Sequence, residues 1–392
     1  MKALSILIPI LVGFCSILLF RDRVDDIVAS LKTTYDRYSR ELFAAKQDIV
    51  TTTTTTTTTA ASARATGAAP ELQHPETHLY ATDMSVPRAI RKVFLAVEQA
   101  EGAGARVRRS VGTPALRNFS PFLMLDHFSI KPGAGFPDHP HRGQETITYL
   151  LTGGVDHEDF AGNKGTIEAG DLQFMTAGKG IVHAEMPRQN PDGSANVGLQ
   201  LWVDLPKHLK SCEPRYRDLR AKEIPAAEAD DGKVKIKVIS GQSHGVDSVK
   251  DLAYTPVWIL DVEIKPGGKV AQPLPEGWNA FAYVLEGADV KFRNGSSAEG
   301  EGEVRAAPQY HNVVFEPQGE AILASVDGDA AAPGRFVLVA GTPLDQKVVQ
   351  YGPFVVNSME EVQKAMFDFH THSNGFERAK DWQSEIGKSM RD

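Results

Sequence analysis

From about residue 83 onward, the hydrophobic positions fall into short runs rich in Val, Ile, Leu and aromatic side chains: 146–151, 199–203, 234–239, 257–264, 280–285 and 336–340. Turns carrying Gly or Pro separate them. Many short strand-like runs at this spacing predict a β-sandwich or barrel rather than alternating strand–helix units. The period changes only near the end, where 358–370 places Val362, Met366 and Phe367 at helical intervals behind Asn357 or Ser358 as the N-cap. About 310 residues of mostly β chain is roughly twice what one small barrel uses. The expectation is therefore all-β: two tandem barrels, 83–212 and 234–392, with a short C-terminal helix. The break falls in the charged stretch 213–233, which contains Pro214 and Pro225.

Residues 1–82 follow a different pattern. Residues 3–20 carry no charge and are flanked by Lys2 on one side and Arg21 and Arg23 on the other, which reaches the lower length limit for crossing a bilayer. This makes 3–20 a candidate membrane anchor. A cleavable signal is less well supported, because no small-x-small site precedes the charges at 21–26. The stretch 23–50 has a loose helical period through Leu31, Tyr35, Tyr38 and Leu42 but is too polar for a core. Nine threonines at 51–59 and an Ala/Ser/Thr/Pro stretch to Pro70 offer nothing large to pack, so this is a mostly disordered linker.

Composition narrows the chemistry. With 42% hydrophobic and 23% charged residues in a chain of 392, the body belongs in water. Two cysteines, Cys15 and Cys212, supply neither a disulfide framework nor a thiolate zinc site. The net charge of −8 lies wholly beyond residue 82, since the charges of the leader cancel. That balance argues against direct nucleic-acid binding and leaves room for a basic protein partner. No phosphate-binding loop, nucleophile elbow or dinucleotide glycine set is present.

Five of the twelve histidines lie between 127 and 183: His127, His139, His141, His157 and His183. In an extended chain, side chains two apart share a face, so His139 pairs with His141 and His183 with Glu185. Two such pairs on facing strands converge inside a barrel. Three imidazoles and a carboxylate suit iron, manganese, nickel, copper or zinc, and leave positions open on a six-coordinate ion for water or substrate. His127 and His157 are candidate supporting donors, Trp202 and Trp278 core residues, and Arg106, Arg108 and Arg109 a short basic patch. The second half lacks an H-x-H where one is expected, reading Val270-Ala271-Gln272-Pro273, and His311 stands alone beside Asn312.

The spacing Gly133-x5-His139-x-His141-x3-Glu145 resembles the first cupin motif, and Gly180-x-x-His183 the second. More narrowly, FPDHPHRGQETITYLL (136–151), HEDFAGNKGTIEAGDLQFMTAGKGIVHAEMP (157–187) and GLQLWVDLP (198–206) resemble pirin, an iron-binding bicupin family. The likeness extends through QPLPEGW (272–278), YGPFVVN (351–357) and NGFERAKDW (374–382), and covers about the last 300 residues. It implies two cupin barrels, the first holding a single iron through His139, His141, His183 and Glu185. Many other cupins take the glutamate of the first motif, here Glu145. Pirins take it from the second, which leaves Glu145 a supporting or structural residue.

The resemblance implies two functions. One is a quercetin 2,3-dioxygenase, in which iron brings a flavonol and O2 together and Glu185 is the catalytic base. The alternative is a nuclear transcriptional coregulator whose iron state governs contact with a transcription-factor partner. The family implies cytoplasm and nucleus, whereas an anchor at 3–20 implies a membrane.

Overall fold

The computed structural model describes residues 85–102, 104–295 and 302–388. The hydrophobic stretch 3–20 and the threonine run lie outside the described residues. Among those described, no helix is long and apolar enough to cross a membrane.

The first half of the body runs through β1 (Ile90–Leu95), β2 (Glu98–Glu101), β3 (Ala105–Arg109), β4 (Phe122–Ile130), β5 (Phe136–His141), β6 (Gln144–Thr152), β7 (Gly154–Asp159), β8 (Lys164–Glu168), β9 (Leu172–Thr176), β10 (Ile181–Pro187), β11 (Asn196–Asp204) and β12 (Arg215–Leu219). The second continues with β13 (Ala226–Ala229), β14 (Val234–Ser240), β15 (Gln242–Ser243), β16 (Val246–Asp247), β17 (Val257–Ile264), β18 (Lys269–Pro273), β19 (Asn279–Gly287), β20 (Val290–Arg293), β21 (Val304–Ala307), β22 (His311–Phe315), β23 (Ala321–Ser325) and β24 (Gly334–Gly341). Each apolar run of the sequence lies inside one of these strands.

Both barrels share one plan. In the first, a seven-stranded sheet ordered β12-β9-β6-β11-β4-β3-β2 accompanies a four-stranded sheet ordered β5-β10-β7-β8. In the second, the orders are β1-β22-β19-β24-β17-β14-β13 and β18-β23-β20-β21. Alternation along the strands sorts the side chains into layers. Leu125, Ile147, Tyr149, Leu199 and Leu201 of the first large sheet share a buried cluster with Ile259, Phe281, Tyr283, Val337 and Val339 of the second. The other face of the second large sheet helps fill its barrel with Leu260, Phe315, Phe336 and Leu338, which pack with Phe292 of β20 from the four-stranded sheet. In the first barrel an apolar cluster around Phe128, Ile130, Leu150 and Ile167 leaves the rest of the interior to polar groups.

Sheet membership departs from chain order in three places. β1 precedes the first barrel yet pairs with β22 of the second, Phe94 opposite Asn312. The charged stretch 213–233 is woven into both halves, because β12 pairs with β9 and β13 with β14. After β24, a hairpin of β25 (Val349–Tyr351) and β26 (Phe354–Val356) returns to the first barrel, where Val355 packs with Leu123, Met124 and Trp202. Helix α1 (Met359–His370) follows, its Ser358 Oγ accepting from Glu361 N at 3.2 Å, so the predicted cap and helix are both present.

Candidate metal centre

β5 and β10 run antiparallel with His139 directly opposite His183. His141 lies two residues along β5 on the same face. The three rings converge with centroids 4.4 to 5.0 Å apart, and one nitrogen from each falls within 4.8 Å of the others. His141 and His183 are buried and His139 is half-buried. Among the described residues this is the one group of side chains arranged to hold a metal ion.

The contacts behind the rings test that reading. His139 Nδ1 lies 2.8 Å from the carbonyl of Pro137, which can only accept, so the proton belongs on Nδ1 and Nε2 carries a lone pair. His183 Nδ1 lies 3.2 Å from Tyr216 Oη. His141 Nδ1 lies 2.9 Å from the side-chain amide of Gln144, whose buried oxygen has no hydrogen-bond partner. The same amide nitrogen donates to the carbonyl of Pro353 at 3.0 Å, which holds it in this orientation with His141 Nδ1 as the acceptor. The His139 and His183 Nε2 atoms are 2.9 Å apart. Two nitrogens each about 2.1 Å from one ion and at right angles stand about 3 Å apart, so the donor set fits a metal.

Burial favours the same protonation state. It holds His141 and His183 well below the ordinary imidazole value, the neighbouring rings adding to the effect. Burial lowers His139 as well, with Glu185 opposing. Neutral imidazole is the ligating form.

Glu185 comes from the same strand as His183 but stands slightly apart. One oxygen lies 4.0 Å from His183 Nε2 and accepts from Gln200 Nε2 at 3.0 Å, while the other accepts from Thr148 Oγ1 at 3.3 Å. A bulge between His183 and Glu185 shifts the register, so that Glu185 faces Phe136. Glu145 points elsewhere: its carboxylate accepts from the backbone N–H groups of Tyr254 and Thr255 and from Thr176 Oγ1. Its even offset from the histidines does not carry across the turn at Arg142 and Gly143, which starts a new strand. Here Glu145 joins the barrel wall to the loop before β17.

Residues beyond the histidine pattern complete the pocket. Trp202, expected as core, is buried and stands edge-on to His141 at 5.0 Å, and its Nε1 donates to Gln200 Oε1. Tyr216 of β12 is stacked parallel to His157 at 6.1 Å, and His157 Nε2 meets Asp218 Oδ2 at 3.0 Å. Burial, with Asp159, Glu185 and Asp218 nearby, raises the Tyr216 phenol well above its ordinary value, so it stays protonated. His157 thus backs the centre through Tyr216. His127 lies instead in the joint between the barrels, bonded to Tyr283.

The segment behind His141 is anchored by the C-terminal region. Arg142 donates to Asp368 Oδ2 of α1 at 2.8 Å, to Asn374 O at 2.6 Å and to Lys179 O at 2.7 Å, and lies 4.7 Å over the Phe376 ring. Lys210 Nζ bonds Asp204 at 2.6 Å and the carbonyls of Gly143 and Val355. Gly143 sits at φ +84°, and a Cβ there would lie 2.0 Å from Val355 O. In the second barrel, the corresponding strand β18 turns Gln272 toward Ser243 Oγ, 2.7 Å away, and His311 lies by the carbonyl of Pro308.

Comparison with known proteins places the chain among familiar ones. Residues 104–203 match the family model described as Pirin, and 259–375 the one described as Pirin C-terminal cupin domain. A Pirin-like protein of Solanum lycopersicum is 47% identical over 301 residues, 77% of this chain and 98% of its own length. Pirin of Homo sapiens is 46% identical over 306 residues, 76% of this chain and 98% of its own. A crystal structure of quercetin 2,3-dioxygenase from Acinetobacter baumannii superposes with a TM-score of 0.63 at 28% identity, covering 73% of this chain and 98% of the other.

Proposed function

The chain belongs to the pirin family, and on that footing we propose that it is a mononuclear iron protein that opens the central ring of a flavonol with O2, the quercetin 2,3-dioxygenase reaction. The observation that carries this reading is the convergence of three neutral imidazoles beside a held carboxylate, in a fold shared with a quercetin 2,3-dioxygenase. In this proposal His139, His141, His183 and Glu185 hold the iron. When bound, the iron supplies a site at which the flavonol 3-hydroxyl and O2 meet in reacting geometry.

The chain's own residues do the rest. Glu185 accepts the hydroxyl proton, and Gln200 and Thr148 fix its two oxygens so that the acceptor lone pair is aimed rather than free to rotate. Half-buried His139 forms the side through which substrate enters. Trp202 closes the opposite wall against His141 and excludes water from it.

The test is metal analysis of the purified chain followed by incubation with quercetin in air and under nitrogen. Near-stoichiometric iron, flavonol loss only in air, and release of carbon monoxide are expected. His139→Ala should lose both iron and turnover. Turnover in metal-free protein overturns the proposal.

A further inference from the structure

At one edge of the joint between the two large sheets lies a cavity of about 380 Å³. That size is within the range of small-molecule pockets, which favour the boundary between two domains. It opens on the face of the first sheet opposite the metal centre, since His127 alternates with Asp126 and Phe128 along β4. Leu151, Val197 and Leu285 contribute apolar wall.

Arg106, Arg108 and Arg335 line the cavity with Glu98 and Glu286, and Asp261 behind Arg335 balances the third arginine. Arg335 is held by Asp261 and Glu286, and Arg106 by Glu98 at 2.7 and 2.9 Å. Arg108 is held differently. Its guanidinium carbon lies 4.1 Å from the centroid of the Tyr310 ring, and its two hydrogen bonds, to Glu98 and to Ala96 O, are long at 3.3 and 3.5 Å. The contact with the ring holds the guanidinium at the cavity wall, and its long hydrogen bonds leave donor capacity for a planar anion. Beside it, His127 Nδ1 is tied to Tyr283 Oη at 3.0 Å, which leaves Nε2 to meet a ligand.

We propose that this inter-barrel cavity is a second ligand site, taking a small planar aromatic carboxylate whose anionic group pairs with Arg108 and whose ring lies among Leu151, Val197 and Leu285. The burial that lowers the His127 pKa to about 4, helped by Arg108, keeps that imidazole a neutral hydrogen-bonding group toward the ligand.

Calorimetric titration of the metal-loaded full chain with 2-naphthoate tests the site, with 2-naphthalenemethanol as the uncharged control. The expected result is saturable binding of the carboxylate, at least tenfold weaker for the alcohol and for Arg108→Met, and unchanged in His139→Ala. Glu98→Gln, an exposed change that releases Arg108, should tighten binding severalfold and serves if Arg108→Met does not fold. Absence of saturable binding, equal affinity for the alcohol, or loss of binding in His139→Ala overturns the site, as does a Glu98→Gln variant that binds no more tightly than the parent chain.

Discussion

An imidazole offers a cation one nitrogen only while its other nitrogen keeps the proton, so the group touching Nδ1 shapes the ligand as much as the ring does. The three rings rest on three different supports: the Pro137 carbonyl, the Gln144 amide and the Tyr216 phenol. Tyr216→Phe keeps the ring and its stacking on His157 but removes the acceptor for His183 Nδ1–H. Metal affinity should fall about tenfold to a hundredfold, and the visible spectrum of cobalt-substituted protein should shift, both read in a competition titration against a chelator. Unchanged affinity and spectrum would remove Tyr216 from any orienting role. The histidines are legible in the sequence because strand alternation is local, and H-x-H puts both rings on one face. Tyr216 is not, because it reaches His183 from a strand whose own pattern, RYRDL, says only that Tyr216 faces away from Arg215 and Arg217. Parity does not reach Glu145, because a turn intervenes.

Between elements, the tightest tie near the centre is Lys210. Its buried ammonium binds Asp204 on β11, Gly143 before β6 and Val355 on β26, joining three segments at one charge. Removing one partner of a buried ion pair leaves the other uncompensated, at a cost of about 3–5 kcal/mol. Lys210→Met should therefore lower unfolding free energy by about that amount in urea titration, and adding Asp204→Asn should recover part of it. A double variant no more stable than the single one would count against the pair as the cause. The strands themselves are readable: 257–264 matches β17 at both ends, and the other apolar runs extend by a residue or more at one or both ends. What the pattern does not encode is which sheet a strand joins. β25 and β26 lie late in the chain yet pack on the first barrel, because their partners, Arg142 and Trp202, are set by tertiary geometry rather than by neighbours in sequence.

For the molecule as a whole, the two barrels meet through an apolar layer with His127 at its edge, and this sets an acid limit. Burial and the charge of Arg108 depress His127 to about 4 in the folded state, against an ordinary 6.5. Its contribution is complete above pH 6.5 and is lost as the pH falls toward 4, because the unfolded chain takes up the proton first. The loss amounts to roughly 3 kcal/mol. Urea titrations at pH 7 and pH 4.5 should show this decline, and His127→Gln should flatten it; an equal decline in the variant would assign the acid limb to other groups. The same joint ties the ends of the body together through β1, and that bears on how the protein is made. Ile90 leaves the ribosome more than 200 residues before its partner Phe315 exists, a gap on the order of 10–40 s at about 5–20 residues per second. The first of the described strands thus waits unpaired until β22 is made, and the second barrel's large sheet is complete only when β24, made later still, enters between β19 and β17.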